Sequence, residues 1–266
     1  MRSMRLDMVL VERGVAVSRE RAKEIILAGD VMVNGLVIRK PAKIIQETDR
    51  IDRTGNGGIT YVGRGYLKLE KALDSFHINI FGMHCLDVGA SAGGFTQLLL
   101  ARGASKVTAV DVGSEQLAQV LRDDQRVVSM EKTDIRKITR EIIGVVLFAC
   151  VDVSFISLKL VLEPVFALLS ETGSAVCLLK PQFEAGPRLV GKRGVVKDPE
   201  VQARVIEDVL NCARNIGFSV CGITHSPIRG GKGNLEYLVY LHKNGPNDDL
   251  LEPRQIVQEA WRELSG

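Results

Sequence analysis

The sequence predicts an α/β protein in which a mostly parallel, Rossmann-like sheet follows a small N-terminal α+β module. Three observations support this fold class. Short apolar runs alternate with helical patterns over most of the 266 residues, which is typical of βαβ units. A Gly-rich stretch at 53–58 has the composition of a linker. The segment before it contains two helical patterns and a hairpin. We therefore predict domains at 1–58 and 59–266.

The N-terminal module is predicted to run helix, helix, hairpin. An apolar pattern at helical spacing begins at Leu6 and marks the first helix. Ser18 is a suitable N-cap for the second helix, and Gly29 can end that helix in a left-handed conformation. Asn34-Gly35 lies between two apolar runs, which is the strongest short signal for a hairpin.

The positive charge of the chain is concentrated in this module. Residues 1–60 hold 11 Lys and Arg against 8 Asp and Glu, whereas 61–266 hold 24 of each. This asymmetry favours a polyanion-binding appendage, although a solvated surface with chance asymmetry is an equal alternative on charge alone. The candidate phosphate contacts are Arg5, Arg19, Arg21, Lys23, Arg39, Lys40 and Lys43.

The larger domain is predicted to contain seven strands. They lie at 85–88, 106–110, 126–130, 145–151, 175–179, 218–223 and 236–241. Helices are expected at 66–76, 95–102, 115–122, 158–170 and 199–216, with a short C-terminal helix around Trp261. The last two strands are joined by a Gly/Pro-rich loop without a helix, so the final strand can be antiparallel.

A turn rich in small residues follows the first strand of this sheet, at 87–96. Small residues let the backbone approach a ligand closely at the start of a helix. Ser91 stands at the middle Gly position of G-x-G-x-x-G, which disfavours a nicotinamide dehydrogenase. Asp111 and Asp134 end or follow the next two strands, where they could meet ribose hydroxyls and an adenine edge. The predicted cofactor-binding residues are Asp87, Gly89, Ala90, Ser91, Gly93, Gly94, Phe95, Asp111, Asp134 and Asp152.

Four charged residues occur where a sheet protein keeps few. Asp152 and Lys180 end the fourth and fifth strands, Glu236 opens the last strand, and Lys68 lies on the helix before the sheet. Each could be a surface charge that caps a strand. Opposite charges at neighbouring strand ends beside a cofactor turn favour a catalytic site instead. Their chemistry suits methyl transfer to a ribose hydroxyl, because a lysine can take the proton while carboxylates hold the lysines in place.

Several segments together resemble the TlyA family of rRNA 2′-O-methyltransferases, whose members are often labelled haemolysins. They are the turn at 87–96, Asp152-Val-Ser-Phe-Ile-Ser, Leu179-Lys-Pro-Gln-Phe-Glu, Gly233-Asn-Leu-Glu and the segment at 61–69. The catalytic domain is similar to FtsJ-type methyltransferases, which use a Lys-Asp-Lys-Glu tetrad. The first 45 residues resemble the RNA-binding module of ribosomal protein S four.

The resemblance implies a fold, a cofactor and a substrate. It implies a Rossmann-like methyltransferase sheet and S-adenosylmethionine as cofactor. It also implies cytidine ribose 2′-hydroxyls of ribosomal RNA, within ribosomal subunits, as targets. Matched by motif, the tetrad is Lys68, Asp152, Lys180 and Glu236.

Other features of the sequence bear on a metal site and on membrane activity. The five cysteines show no C-x-x-C spacing and the four histidines form no cluster, so no metal site is expected. The longest apolar run, 145–151, is far shorter than the roughly 18 residues of a membrane span. A cytoplasmic protein is therefore expected rather than a membrane-active haemolysin. An RNA-binding protein without catalysis is the other alternative. The basic loop at 184–197 could close on RNA or be an ordinary exposed loop.

Overall fold

A computed structural model divides the chain into two compact units, Met1–Arg64 and Gly65–Gly266. The residues that it describes are 3–16, 18–53, 61–191, 193–245 and 252–264. All of the predicted linker except Arg53 lies outside those ranges.

The described residues of the first unit form two helices and five short strands. In chain order they are β1 (Ser3–Arg5), α1 (Leu6–Glu12), α2 (Arg19–Ala28), β2 (Val31–Val33), β3 (Leu36–Val37), β4 (Ile44–Gln46) and β5 (Ile51–Arg53). Ser18 caps α2, since its hydroxyl accepts a hydrogen bond from the Arg21 amide at 3.2 Å. Gly29 ends α2 with φ of 84°. The predicted hairpin is present as β2 and β3, and β5 adds a third antiparallel strand that the sequence did not reveal.

The second unit builds the large sheet. Its strands are β6 (His84–Val88), β7 (Lys106–Val110), β8 (Val127–Met130), β9 (Val146–Val151), β10 (Leu169–Leu179), β11 (Ser219–His225) and β12 (Tyr237–His242). Its α-helices are α3 (Tyr66–Ser75), α4 (Gly94–Ala101), α5 (Gln119–Arg122), α6 (Arg140–Ile143), α7 (Lys159–Leu168), α8 (Pro181–Glu184), α9 (Pro199–Ile216) and α10 (Pro253–Leu264).

The sheet is mostly parallel, as predicted. Its strand order is β11-β12-β10-β9-β6-β7-β8. Strands β6 to β10 run parallel, and β12 runs antiparallel to both β10 and β11. Chain order reverses between β6 and β9, so the carboxyl ends of these two strands border a crevice. Sheets of this kind bind ligands at that place.

Two elements differ from their predicted bounds by more than two residues. β10 begins at Leu169 rather than at 175, because Leu169 already pairs with Val146 before the register shifts. The helix predicted at 115–122 contains only the residues of α5. Glu115 has φ of 57°, and its amide donates to the Glu131 carboxylate at 2.7 Å, which stabilises a turn in place of the first helical residues.

The core of the second unit is apolar on both faces of the sheet. Phe148 and Leu86 are fully buried in the central strands, and Tyr237 is fully buried in β12. The amphipathic helix α9 packs against α7 and α10. No helix among the described residues is long and apolar enough to cross a membrane. Against this background, the charged residues at the carboxyl edge of the sheet are exceptional.

Candidate active site

The turn after β6 is shaped by the end of β9. Gly89 follows β6 with φ of 84°, a conformation that glycine adopts without strain. A Cβ atom on Gly89 would lie 2.4 Å from the carbonyl oxygen of Asp152. The backbone of the turn therefore passes against β9 at a distance that only glycine permits.

Asp87 supports this turn from inside the protein. Its side chain is fully buried, and its Oδ2 accepts a 2.6 Å hydrogen bond from the Thr96 hydroxyl. Burial, helped by the nearby charge of Asp152, raises the pKa of Asp87 to about 6. Asp87 thus joins the end of β6 to α4 and is not a lining residue of the adjacent cavity.

A cavity of about 430 Å³ opens over the carboxyl ends of β6, β7 and β9. The Asp111 carboxylate lines it and accepts hydrogen bonds from the amides of Ser91 at 2.8 Å and Gly113 at 2.7 Å. The Asp134 carboxylate also lines it, but Arg136 pairs with it at 2.6 Å. Hydrogen bonds from Arg136 lower the pKa of Asp134 to about 2. Asp111 therefore holds two loops together, and Asp134 is already bound to a cation.

The structure separates the predicted cofactor residues into two groups. Those that line the cavity are Gly89, Ser91, Asp111, Asp134 and Asp152. Those that do not are Asp87, Ala90, Gly93, Gly94 and Phe95. The second group turns the chain from β6 into α4 and lies behind the cavity. Residues that line it without having been predicted include Gln116, Thr133, Val112 and Ile156.

A second cavity of about 470 Å³ shares Ser154 and Phe155 with the first. Lys180, at the end of β10, lines it and is only 9% exposed. Its Nζ lies 2.6 Å from Asp152 Oδ1 and donates to the Ser154 hydroxyl at 2.8 Å. Because β9 and β10 are parallel neighbours, the lysine and the aspartate meet at one edge of the sheet. Their pair stands where the two cavities adjoin.

Lys68 and Glu236 form a second buried pair in this cavity. Lys68 Nζ lies 2.6 Å from Glu236 Oε2, and the side chains are 11% and 3% exposed. The carboxylate occupies space beside Gly230, where a Cβ atom would lie 1.9 Å from Glu236 Oε1. Lys71, one turn further along α3, instead contacts the His225 ring at 3.3 Å. Only the first of these two lysines lines the cavity.

Phe155 is a feature that the sequence analysis did not single out. Its side chain is 91% exposed and its φ is 65°, a left-handed conformation that is strained for a phenylalanine. Its ring lies 5.2 Å from that of Phe183. It belongs to the Asp152-Val-Ser-Phe-Ile-Ser motif, but neither its exposure nor its backbone conformation is encoded in that pattern.

Some of the seven predicted phosphate contacts have acidic partners within the first unit. Arg5 and Arg19 pair with the buried Asp7 at 2.8 and 3.3 Å, and Arg21 pairs with Glu24 at 2.9 Å. The hydrogen bond from Arg5 lowers the pKa of Asp7 to about 2. The other four are half-buried or exposed, and they are Lys23, Arg39, Lys40 and Lys43.

Comparison with known proteins gives full-length similarity. Residues 61–243 match the FtsJ-like methyltransferase model and residues 4–51 match the S4 domain model. The 16S/23S rRNA (cytidine-2′-O)-methyltransferase TlyA of Mycobacterium tuberculosis is 44% identical, over 99% of this chain and 98% of that protein. Hemolysin A of Brachyspira hyodysenteriae is 41% identical, over 89% of this chain and 99% of that protein. A solved structure from Streptococcus thermophilus is 40% identical, covers 100% of this chain and 98% of that chain, and has a TM-score of 0.75.

Proposed function

The chain belongs to the FtsJ-like methyltransferase family, and on that premise we propose that it methylates ribose 2′-hydroxyls, those of cytidines, in ribosomal RNA. The observation that carries the proposal is the arrangement of two adjoining cavities with the buried Lys180 paired to the half-buried Asp152 where they meet. One cavity suits a nucleoside cofactor, and the other presents a proton acceptor to a hydroxyl.

The first cavity has the chemistry that S-adenosylmethionine requires. Apolar side chains such as Val112 and Ile156 offer walls for a purine, and the Asp111 carboxylate, each of whose oxygens accepts one amide hydrogen bond, offers further acceptor positions for hydroxyl groups. Gly89 lines this cavity, and its lack of a side chain lets the turn pass directly against the Asp152 backbone. When bound, this cofactor supplies an electrophilic methyl group on a sulfonium sulfur.

Lys180 is placed to act as general base in the second cavity. In its neutral form its Nζ takes the proton of the 2′-hydroxyl while the ribose oxygen forms its bond to the methyl carbon. A bound S-adenosylmethionine would supply that methyl group, with a neutral thioether as the leaving group. Asp152 fixes the position of the lysine and stabilises the ammonium group that forms. Lys68 and Glu236 line the same cavity.

The substrate assignment rests on both units. The S4 domain and the charge of the first 60 residues favour an RNA partner. In the second unit, Phe155 offers an exposed ring between the two cavities on which an unstacked base can lie. We propose ribosomal subunits as the physiological substrate, because their folded RNA presents such unpaired nucleotides.

The test is methyl transfer from labelled S-adenosylmethionine to purified ribosomal subunits and to naked rRNA. We expect label in RNA with the wild-type protein, recovered as 2′-O-methylcytidine after nuclease digestion. Lys180→Ala should abolish labelling while cofactor binding persists. Lys68→Ala and Lys71→Ala form a matched pair on one helix, and only the first should lose activity because only Lys68 lines the cavity.

Each alternative outcome has a defined meaning. Labelled RNA that yields a methylated base instead of a methylated ribose would overturn the reaction type. Cofactor binding without any labelling of either substrate would overturn the rRNA assignment. Absence of cofactor binding would leave an RNA-binding protein without catalysis.

A further inference from the structure

Lys232 lies in a constrained turn at the edge of the second cavity. It stands among glycines in Gly230-Gly-Lys-Gly and has φ of 58° and ψ of 14°, a left-handed conformation. Its side chain is exposed and lines the same cavity as Lys68 and Lys180. A lysine is strained in this conformation and a glycine is not. The geometry of the turn therefore does not explain why a lysine stands at position 232.

The turn is held rigidly from two sides. Arg229 donates to the Gly233 carbonyl at 2.7 Å and to the Leu264 carbonyl, at the end of α10, at 2.6 Å. Asn234 is only 3% exposed, and its side-chain amide donates to the Gly194 carbonyl at 2.9 Å. These contacts fix the position of the Lys232 backbone relative to Gly194.

The positive charge of the Lys232 ammonium group is not balanced by any carboxylate that the structure describes, in contrast to the charges of Lys68 and Lys180. Lys68 and Lys180 are each paired with a carboxylate, at 2.6 Å in both cases. No carboxylate among the described residues forms an ion pair with Lys232. Its Nζ lies against Gly194, 3.3 Å from the place that a Cβ atom there would occupy. The rim of the cavity thus carries a net positive charge, next to the exposed Arg193.

We propose that the Lys232 ammonium group binds a phosphodiester of the RNA strand next to the ribose that is methylated, and so positions the acceptor hydroxyl. The proposal rests on the proposed function, because the anion is a phosphate of that RNA. A lysine binds phosphate as a compact point charge, which suits a single contact at the cavity edge. Phosphate contacts of this kind fix register without reading the base.

The experiment compares Lys232→Gly with Lys132→Gly. Lys132 is also exposed, also has a positive φ, of 51°, and lines neither cavity. Both variants remove one charge and relieve the same backbone strain, so neither should lower the melting temperature. We expect Lys232→Gly to raise the KM for RNA roughly tenfold with little change in cofactor affinity. Lys132→Gly should leave the KM unchanged, and Lys232→Arg should keep most of the wild-type affinity.

A second measurement does not depend on catalysis. The affinity for an rRNA fragment is measured by fluorescence anisotropy over a range of salt concentrations. Loss of one phosphate contact should reduce the slope of log K against log salt by about 0.7 to 0.9. Equal slopes for wild type and Lys232→Gly, or equal reductions in both glycine variants, would overturn the proposal. A wild-type protein that binds RNA but methylates none would overturn the proposed function instead, and the slope would still report on Lys232.

Discussion

Replacing Gly230 by alanine would place a methyl group where the Glu236 carboxylate lies. The added Cβ atom would be 1.9 Å from Oε1, whereas real Cβ atoms essentially never approach closer than 3.0 Å. The carboxylate must therefore retreat by about 1.1 Å. Gly230 itself has φ of −75° and ψ of −170°, which alanine adopts without strain. The substitution thus acts on the proposed active site through one steric contact and changes no charge.

The retreat has a predictable consequence for the rate. Glu236 is 3% exposed, so its carboxylate cannot swing into solvent, and its 2.6 Å pair with Lys68 must distort. A displacement of about 1 Å at a group that positions the reaction can reduce the rate about 100-fold. We expect that loss in single-turnover methyl transfer. Calorimetry should show S-adenosylmethionine affinity within about twofold of wild type, because Glu236 does not line the first cavity.

Two further variants test whether the steric contact is the cause of the loss. Gly231→Ala adds a Cβ atom that meets nothing within 4 Å, so folding and cofactor affinity should both remain unchanged. Glu236→Asp shortens the side chain and removes the clash, so Gly230→Ala should cost much less in that background than in wild type. A wild-type rate for Gly230→Ala, or an equal loss in both backgrounds, would show that the steric contact does not control the site.

Three other predictions follow from the same geometry. Gly89→Ala should weaken cofactor binding at least about tenfold, because residue 89 has a left-handed backbone and the added Cβ atom would lie 2.4 Å from the Asp152 carbonyl oxygen. A cofactor affinity equal to that of wild type, measured by calorimetry, would contradict this. The raised pKa of Asp87, about 6, means that its stabilising contribution is full below about pH 4 and is lost as pH rises through 6. For Asp87→Asn, the free energy of unfolding measured in urea should not show that decline with rising pH. The lowered pKa of Asp7, about 2, predicts stability that is present above about pH 4 and lost towards pH 2. Asp7→Asn should show a flatter acid-unfolding curve by circular dichroism.

Much of the fold could be predicted because strand and helix periodicities differ. The parallel strands of the large sheet were read from short apolar runs, and their carboxyl ends place Asp152 beside Lys180 in any sheet where those strands are neighbours. The approach of Lys68 to Glu236 could not be predicted in the same way. It depends on β12 lying between β10 and β11, and chain order alone does not show that insertion.

Other parts of the site could not be read from residue types. Asp87 and Asp111 are both carboxylates at strand ends, but only the second lines the cavity, since Asp87 points into the core towards Thr96. Alternation along a strand can decide this only when its bounds and its buried face are known. Phe155 owes its exposure to a left-handed backbone that no periodic pattern specifies.

The position of β12 has a consequence for how the enzyme comes into being during synthesis. Among the described strands it is the last to leave the ribosome, yet it occupies an interior place in the sheet. The Lys68–Glu236 pair at its start joins residues 168 positions apart. Until it is made, β10 and β11 have no strand between them and Lys68 has no carboxylate. Contacts that distant in sequence form late, because the intervening chain must first be closed into a loop. The strand pairs of the S4 module lie within residues 3–53, so this module can form before β12 is synthesised. A nascent chain therefore holds its RNA-binding part before it holds a working active site.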